Sequence, residues 1–160
     1  ARAGEAPGPT AQRLAAAKAH AVRARFGDAL IIGADQVAFC GDVRLEKPRT
    51  HDHALRQLTV VSGKLATFET AVALLDAQSG RTQTRLVSTR VQFRPLSAAR
   101  IEAYLRREQP YDCAGSAKVE GLGIALIARI ESDDPTALIG LPLIALAEML
   151  GAAGMPVLPA

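Results

Sequence analysis

At 160 residues, with 49% hydrophobic and 22% charged side chains, the chain is one domain by length and globular rather than disordered by composition. No unbroken apolar run reaches the ~18 residues that a membrane span needs, and the first residues lack the basic-then-apolar layout of a signal peptide. A net charge of +3 that is spread along the chain, 4% aromatic residues and no Trp weigh against a stable nucleic-acid partner and suit a small anionic ligand. Cys40 and Cys113 lack metal-ligand spacing, which points to a reducing compartment and a cytoplasmic protein.

Residues 1–9 form a Gly/Pro-rich lead-in. Thr10 is the expected N-cap of an Ala-rich helix over Ala11–Phe26, stopped by Gly27 and carrying an inward stripe of Leu14, Ala21, Val22 and Phe26. Lys18 sits four residues from both Leu14 and Val22, so the pattern places it on that stripe. Two readings fit it: a lysine whose stem runs outward along the apolar surface, or an ammonium aimed into a site beside the next strand.

The run Ala29–Ile32 predicts a strand buried on both faces, the habit of a parallel or mixed sheet covered by helices. Gly33 and Ala34 are small enough for close approach, and Asp35 stands where the run ends. That is where α/β sheets bind ligands, although a lone Asp there also serves as a turn or cap residue. Val37–Cys40 and Val43–Leu45 flank Gly41-Asp42, a two-residue hairpin with Gly first. Pro48 keeps Lys47 extended, and the hairpin carries Lys47 back towards the level of Asp35.

Thr50 caps a helix over His51–Val61. Lys64–Asp76 and Arg81–Arg94 alternate as two long antiparallel strands, with Phe68, Thr70, Val72 and Leu74 matched by Val87, Thr89, Val91 and Phe93. Ser97 caps Ala98–Glu108, whose inward residues are Ile101, Tyr104 and Leu105. The segment Asp112–Gly123 then holds Gly115, Ser116, Lys118, Glu120 and Gly121, a loop that can cradle a ligand or serve turn geometry alone. An apolar strand follows over Ile124–Ile130, then a turn at Ser132–Pro135. A last helix opens at Pro142 and runs to Leu150, stopped by Gly151.

His20, His51 and His53 read as surface residues. No nucleophile elbow, zinc set or phosphate-binding P-loop is present. There remain one carboxylate (Asp35), lysines able to meet phosphate oxygens (Lys18, Lys47, Lys118), and Glu120 among glycines. That set suits phosphoanhydride hydrolysis. Asp35 orients or deprotonates water or shares a divalent ion, and the lysines offset charge on the phosphates. Glu120, an acceptor only, favours a ring edge rich in N–H donors such as guanine, and a permanently cationic guanine more still.

Leu30–Gln36, Glu46-Lys47-Pro48, Cys113–Ile124 and Gly140-Leu141-Pro142-Leu143 together resemble the Maf family of nucleoside triphosphate pyrophosphatases over about residues 5 to 150. The resemblance implies a Maf/ITPase-like α/β fold, a mixed twisted sheet with flanking helices, elongated and with a central cleft. It implies cleavage between the α and β phosphates, with Asp35 as proton acceptor and a divalent cation (Mg²⁺ or Mn²⁺) shared by Asp35 and the substrate. Lys18 and Lys47 fall on the family's phosphate-contacting lysines. Gln36 and Glu120 stand where members acting on dTTP and UTP have Thr and Gln, and look like the branch that hydrolyses 7-methyl-GTP.

Members often form homodimers. The family's opening strand and its Ser-x-Ser-x-Arg turn and helix have no counterpart here, and Glu46 stands where many relatives have Gly. The expectation is therefore a single Maf-like domain over 1–160 lacking that first strand and helix, a piece of a longer protein. Asp35, Lys47 and Glu120 should border one hollow. The rivals are a dTTP/UTP or broad-range pyrophosphatase, and a non-catalytic nucleotide-binding or septum-regulating protein.

Overall fold

The computed structural model describes residues 4–158, so the first three residues of the lead-in lie outside it. Among the described residues, four α-helices, α1 (Pro7–Ala21), α2 (His51–Val61), α3 (Ala98–Glu108) and α4 (Leu143–Ala152), accompany one five-stranded sheet. Its strands are β1 (Leu30–Cys40), β2 (Val43–Leu45), β3 (Leu65–Asp76), β4 (Thr82–Phe93) and β5 (Ile127–Glu131), in the order β2-β1-β3-β4-β5. None of the helices among the described residues is long and apolar enough to cross a membrane.

The α/β architecture expected from the sequence is present, with antiparallel pairing where a mixed sheet was expected. Ala38 faces Leu45 across the β1–β2 hairpin, and Val91 faces Ile130 between β4 and β5. Ala77 N–H donates to Ala29 O at 3.0 Å, which sets the end of β3 beside the start of β1. Gly41 adopts φ +56 and Asp42 keeps a negative φ, as a Gly-first hairpin turn requires.

The chain divides into two compact units. One comprises the residues up to Gln36, Glu69–Ser88 and those from Asp133 on; the other comprises Val37–Phe68 and Thr89–Ser132. In the first unit, Ala19 of α1 packs with Ile31, Leu75 and Ala77, while Leu146 and Met149 of α4 pack with Val72 and Leu74. β3 is covered from both sides there, and Thr70–Leu75 are all buried. The strand buried on both faces is thus β3, not Ala29–Ile32, where Ile32 is 45% exposed. An apolar run reveals hydrophobicity but not how fully each face is covered: Ile31 and Leu30 of β1 also pack towards α1 and α4, yet Ile32 stays open.

Three further expectations shift. α1 starts at Pro7 and ends at Ala21; Thr10 is not its N-cap but lies buried within it, and Phe26 is half exposed. Proline is favoured in a first helical turn, so the Pro7 and Pro9 of the lead-in open the helix. Its inward face is Ala11, Ala15 and Ala19, because only small side chains let the helix lie this close to the sheet. The apolar strand expected from Ile124 begins at Ile127, and Leu122–Leu126 form a 3₁₀ turn before it. α4 passes through Gly151 before ending, with Gly154 at φ +79 beyond it.

The two helices of the second unit match expectation. Thr50 and Ser97 cap α2 and α3, accepting from the backbone N–H of His53 and Arg100. The buried residues of α3 are Ile101, Tyr104 and Leu105.

Candidate functional site

In the first unit, alternation along β1 puts Ile31, Gly33 and Asp35 on the face that α1 covers. A Cβ on Gly33 would lie 2.2 Å from Ala15 O, so only glycine allows the contact. One helical turn further on, Lys18 Nζ meets Asp35 Oδ1 at 2.6 Å and donates to Ala34 O at 2.7 Å. Lys18 is therefore not on the inward stripe. Its side chain is 58% exposed and reaches the site from the rim, while the Asp35 side chain is only 16% exposed. Lys18 thus meets the carboxylate of the following strand, by a route different from the one the pattern offered.

Gln36 points to the opposite face. Its amide nitrogen lies within hydrogen-bond distance of Thr70 Oγ1 (2.8 Å), Ala137 O (3.1 Å) and Leu138 O (3.2 Å). Gln36 thereby ties β1 to the turn preceding Gly140-Leu141-Pro142. Sequence reading missed Asp134, treated as part of a turn. It is buried, with Oδ1 accepting from Thr136 N–H and O–H and Oδ2 accepting from Ile144 N–H at 2.7 Å, in the first turn of α4. Burial alone would raise its pKa, but these donors outweigh it and hold the carboxyl below the ordinary carboxylate range. Arg13 was missed as well: it pairs with Glu5, donating from Nε at 2.8 Å, and that hydrogen bond raises its pKa, with a smaller contribution from the charge of Asp35.

In the second unit, Lys47 is exposed and has no hydrogen bond or ion pair among the described residues, yet the backbone on both sides of it is fixed. Glu46 O accepts from Gln57 Nε2 at 3.0 Å and from Gly115 N–H at 3.3 Å. Pro48 O accepts from Thr50 N–H at 2.7 Å and lies 3.2 Å from His53 Nδ1. Arg49, at φ +64, donates its N–H to Tyr111 O at 3.0 Å.

The Gly-rich loop is held largely by its own unit. Gly115 and Ser116 have φ +71 and +59, and a Cβ on Gly115 would meet the Phe68 ring at 3.3 Å. Ser116 is fully buried, with its hydroxyl unpartnered. The Tyr104 hydroxyl accepts from Lys118 N–H at 3.0 Å, and burial pushes its pKa up to about 12. Lys118 O accepts from Gly121 and Gly123, and a Cβ on Gly123 would lie 2.4 Å from that oxygen.

Glu108 Oε2 accepts from Leu122 N–H at 2.7 Å, and Oε1 pairs with the Lys118 ammonium at 3.3 Å. That N–H first, and Lys118 second, hold the Glu108 carboxyl below its usual range. Lys118 and Gly121 thus serve the loop's own geometry. Glu120 is exposed and makes no hydrogen bond or ion pair among the described residues.

His51 is not a plain surface histidine. Its ring nitrogens lie 3.1 Å from the Tyr111 hydroxyl and 2.9 Å from Glu102 Oε2. The described residues contain no group of three or more His, Cys, Asp or Glu that could hold a metal ion. A single carboxylate, Asp35, still fits Mg²⁺ or Mn²⁺ of the kind that takes one or two carboxylates from the protein and the rest from phosphates and water.

The first unit thus carries a carboxylate–ammonium pair on β1, and the second carries an exposed lysine whose flanking backbone is held. The family model for Maf, described as Maf-like protein, matches residues 1–153, and the chain belongs to the Maf family. A relative from Cupriavidus metallidurans named 7-methyl-GTP pyrophosphatase is 56% identical over 154 residues, 96% of this chain and 77% of the relative. Relatives with that name from Thiobacillus denitrificans and Albidiferax ferrireducens are 55% and 54% identical, over 97% and 100% of this chain and 77% and 80% of their own lengths.

Proposed function

We propose that the protein hydrolyses 7-methyl-GTP to 7-methyl-GMP and pyrophosphate. The observation that carries this is the Lys18–Asp35 pair at 2.6 Å, in a chain 54–56% identical to relatives bearing that activity in their names. Asp35 takes a proton from a water molecule whose oxygen bonds to the α-phosphorus. The α–β anhydride bond breaks, and its electron pair leaves with pyrophosphate. Lys18, anchored by Ala34 O, keeps the carboxylate in one orientation and offers positive charge beside it.

Lys47 contacts phosphate oxygens. Glu120 selects the methylated base, its free carboxylate accepting from the guanine edge and favouring the ring's positive charge. Gln36 acts on specificity through the turn it holds, and Gly115, Ser116, Lys118 and Gly121 shape the ligand loop. A divalent cation, Mg²⁺ or Mn²⁺, would be held by Asp35 with the substrate's phosphate oxygens and would draw negative charge from them as the anhydride breaks. Two free cysteines, Cys40 and Cys113, support a cytoplasmic setting, and a homodimer is part of the same proposal.

A pyrophosphate-release panel tests the reading. With Mg²⁺ or Mn²⁺, 7-methyl-GTP should turn over faster than GTP, dTTP or UTP. Nucleotide binding without product at any metal concentration would defeat it, and a preference for dTTP or UTP would move the protein to another branch.

A further inference from the structure

We infer that Gln57 is a positioning residue for Lys47 and joins the lysine arm to the Gly-rich loop; this rests on the phosphate role proposed for Lys47. Gln57 lies on α2 and is 7% exposed. It donates from Nε2 to Glu46 O at 3.0 Å, and Gly115 N–H donates to the same oxygen at 3.3 Å. The peptide entering Lys47 is therefore clamped from two sides, once by a helix side chain and once by the loop backbone.

The other half of the Gln57 amide adds an independent observation. Its Oε1 is buried and has no partner among the described residues. A buried amide with one unmet acceptor is a poor device for stability, since an apolar side chain of equal length would avoid that desolvation cost. Gln57 also lines a cavity of about 270 Å³ with Glu46, Arg44, His53 and Arg56, so the space beside Glu46 is not tightly filled. Without the Gln57 donor, the Glu46 carbonyl keeps, among the described residues, only its 3.3 Å bond from Gly115 N–H. The amide's N–H is what this position contributes, and what it fixes is the backbone that aims an otherwise unrestrained ammonium.

Gln57→Met separates this role from a structural one. Met matches the length, removes the unmet Oε1, and leaves Glu46 O its bond from Gly115. The thermal midpoint should stay near that of the unchanged protein, while KM for 7-methyl-GTP rises roughly fivefold, the size of one net hydrogen bond, with kcat less affected. Gln57→Glu should be worse above neutral pH, where a carboxylate faces the Glu46 carbonyl. It should recover as pH falls and the protonated carboxyl regains a donor; a wild-type pH profile for this variant would overturn the inference.

Lys47→Ala sets the reference. Gln57→Met added to it should cost nothing further, because there is no ammonium left to aim. Losses that multiply would overturn the positioning role while leaving the phosphate role standing. Lys47→Ala with unchanged KM would overturn both.

Discussion

The two regions that carry the charged side chains are built on opposite plans. Around Asp35 the chemistry is paired in advance: the carboxylate holds the Lys18 ammonium at 2.6 Å, and the Gln36 amide is committed to Thr70, Ala137 and Leu138. Around the lysine arm and the Gly-rich loop, the pairing is done by the frame. Backbone groups, Tyr104, Glu108 and Gln57 hold the chain, while Lys47 and Glu120 stay unpaired among the described residues. Removing a paired charge strands its partner, whereas removing an unpaired one costs only what it does for a ligand. Activity and stability should therefore move together in one region and separately in the other.

The largest effect that would break this contrast is at Asp35. Asp35→Asn keeps an oxygen for Lys18 but not a proton acceptor, so kcat for pyrophosphate release should fall by roughly 10²–10⁴-fold, the usual share of a general base. Turnover near the unchanged rate would remove Asp35 from the chemistry. Next is the pair of lysines. Lys47→Ala should lower kcat/KM by about 10- to 100-fold, as expected for one charge-assisted hydrogen bond to phosphate. It should leave the thermal midpoint unmoved. Lys18→Ala should lower both activity and midpoint, because it leaves the largely buried Asp35 carboxylate without its ammonium. If both lysines lowered the midpoint alike, the paired and unpaired plans would not differ.

How much of this was readable beforehand follows the same division. Thr50, Ser97 and the stripe Ile101–Tyr104–Leu105 were legible because caps and helical periodicity are local signals. The hairpin at Gly41-Asp42 was legible from its turn residues. Which strand lies in the middle was not: the order β2-β1-β3-β4-β5 is a matter of long-range pairing, and β1 and β3 are both apolar in sequence. The inward face of α1 was misread because Ala11, Ala15 and Ala19 carry little hydrophobic signal, although close packing on Gly33 demands small residues.

Asp35 and Lys18 stood out in the sequence, but that they pair depends on that close approach. Asp134 hid in a Ser-Asp-Asp-Pro turn, where an acidic residue is ordinary. Its ten-residue separation from Ile144 gives no local signal. Lys118 and Gly121, taken as ligand loop, could not be connected to Glu108 before the loop was seen folding back on α3.

Smaller effects sharpen the view of the second region as a frame. Gly123→Ala would place a methyl 2.4 Å from Lys118 O, a backbone atom that cannot swing aside. A loss of about 1–3 kcal/mol in urea unfolding is expected, the usual cost of overpacking. Gly27→Ala, with nothing within 4 Å of the added carbon, is the control and should be close to neutral. Equal losses at the two glycines would mean that the loop accommodates side chains and is not fixed by its backbone.

The smallest effect concerns acid. Asp134 in the first region and Glu102 in the second both have carboxyls held below their ordinary values. Thr136, Ile144 and Ala145 donors outweigh burial at Asp134, whereas Arg106 and then His51 act at Glu102. A lowered folded-state pKa gives stability that is complete above the unfolded-state value and is lost as pH falls through the folded-state one. Urea midpoints should therefore hold from pH 7 down to about 5 and decline below the ordinary carboxylate values near 4. Asp134 is only 2% exposed and satisfies N–H groups at the start of α4, so Asp134→Ala should cost about 1–2 kcal/mol at pH 7 and flatten part of the decline. The Glu102 side chain is 33% exposed and lies in an open ion-pair network, so Glu102→Gln should change the curve less, and less still in high salt. A steeper acid loss in Asp134→Ala than in the unchanged protein would reverse the sign and place the responsible carboxylate elsewhere.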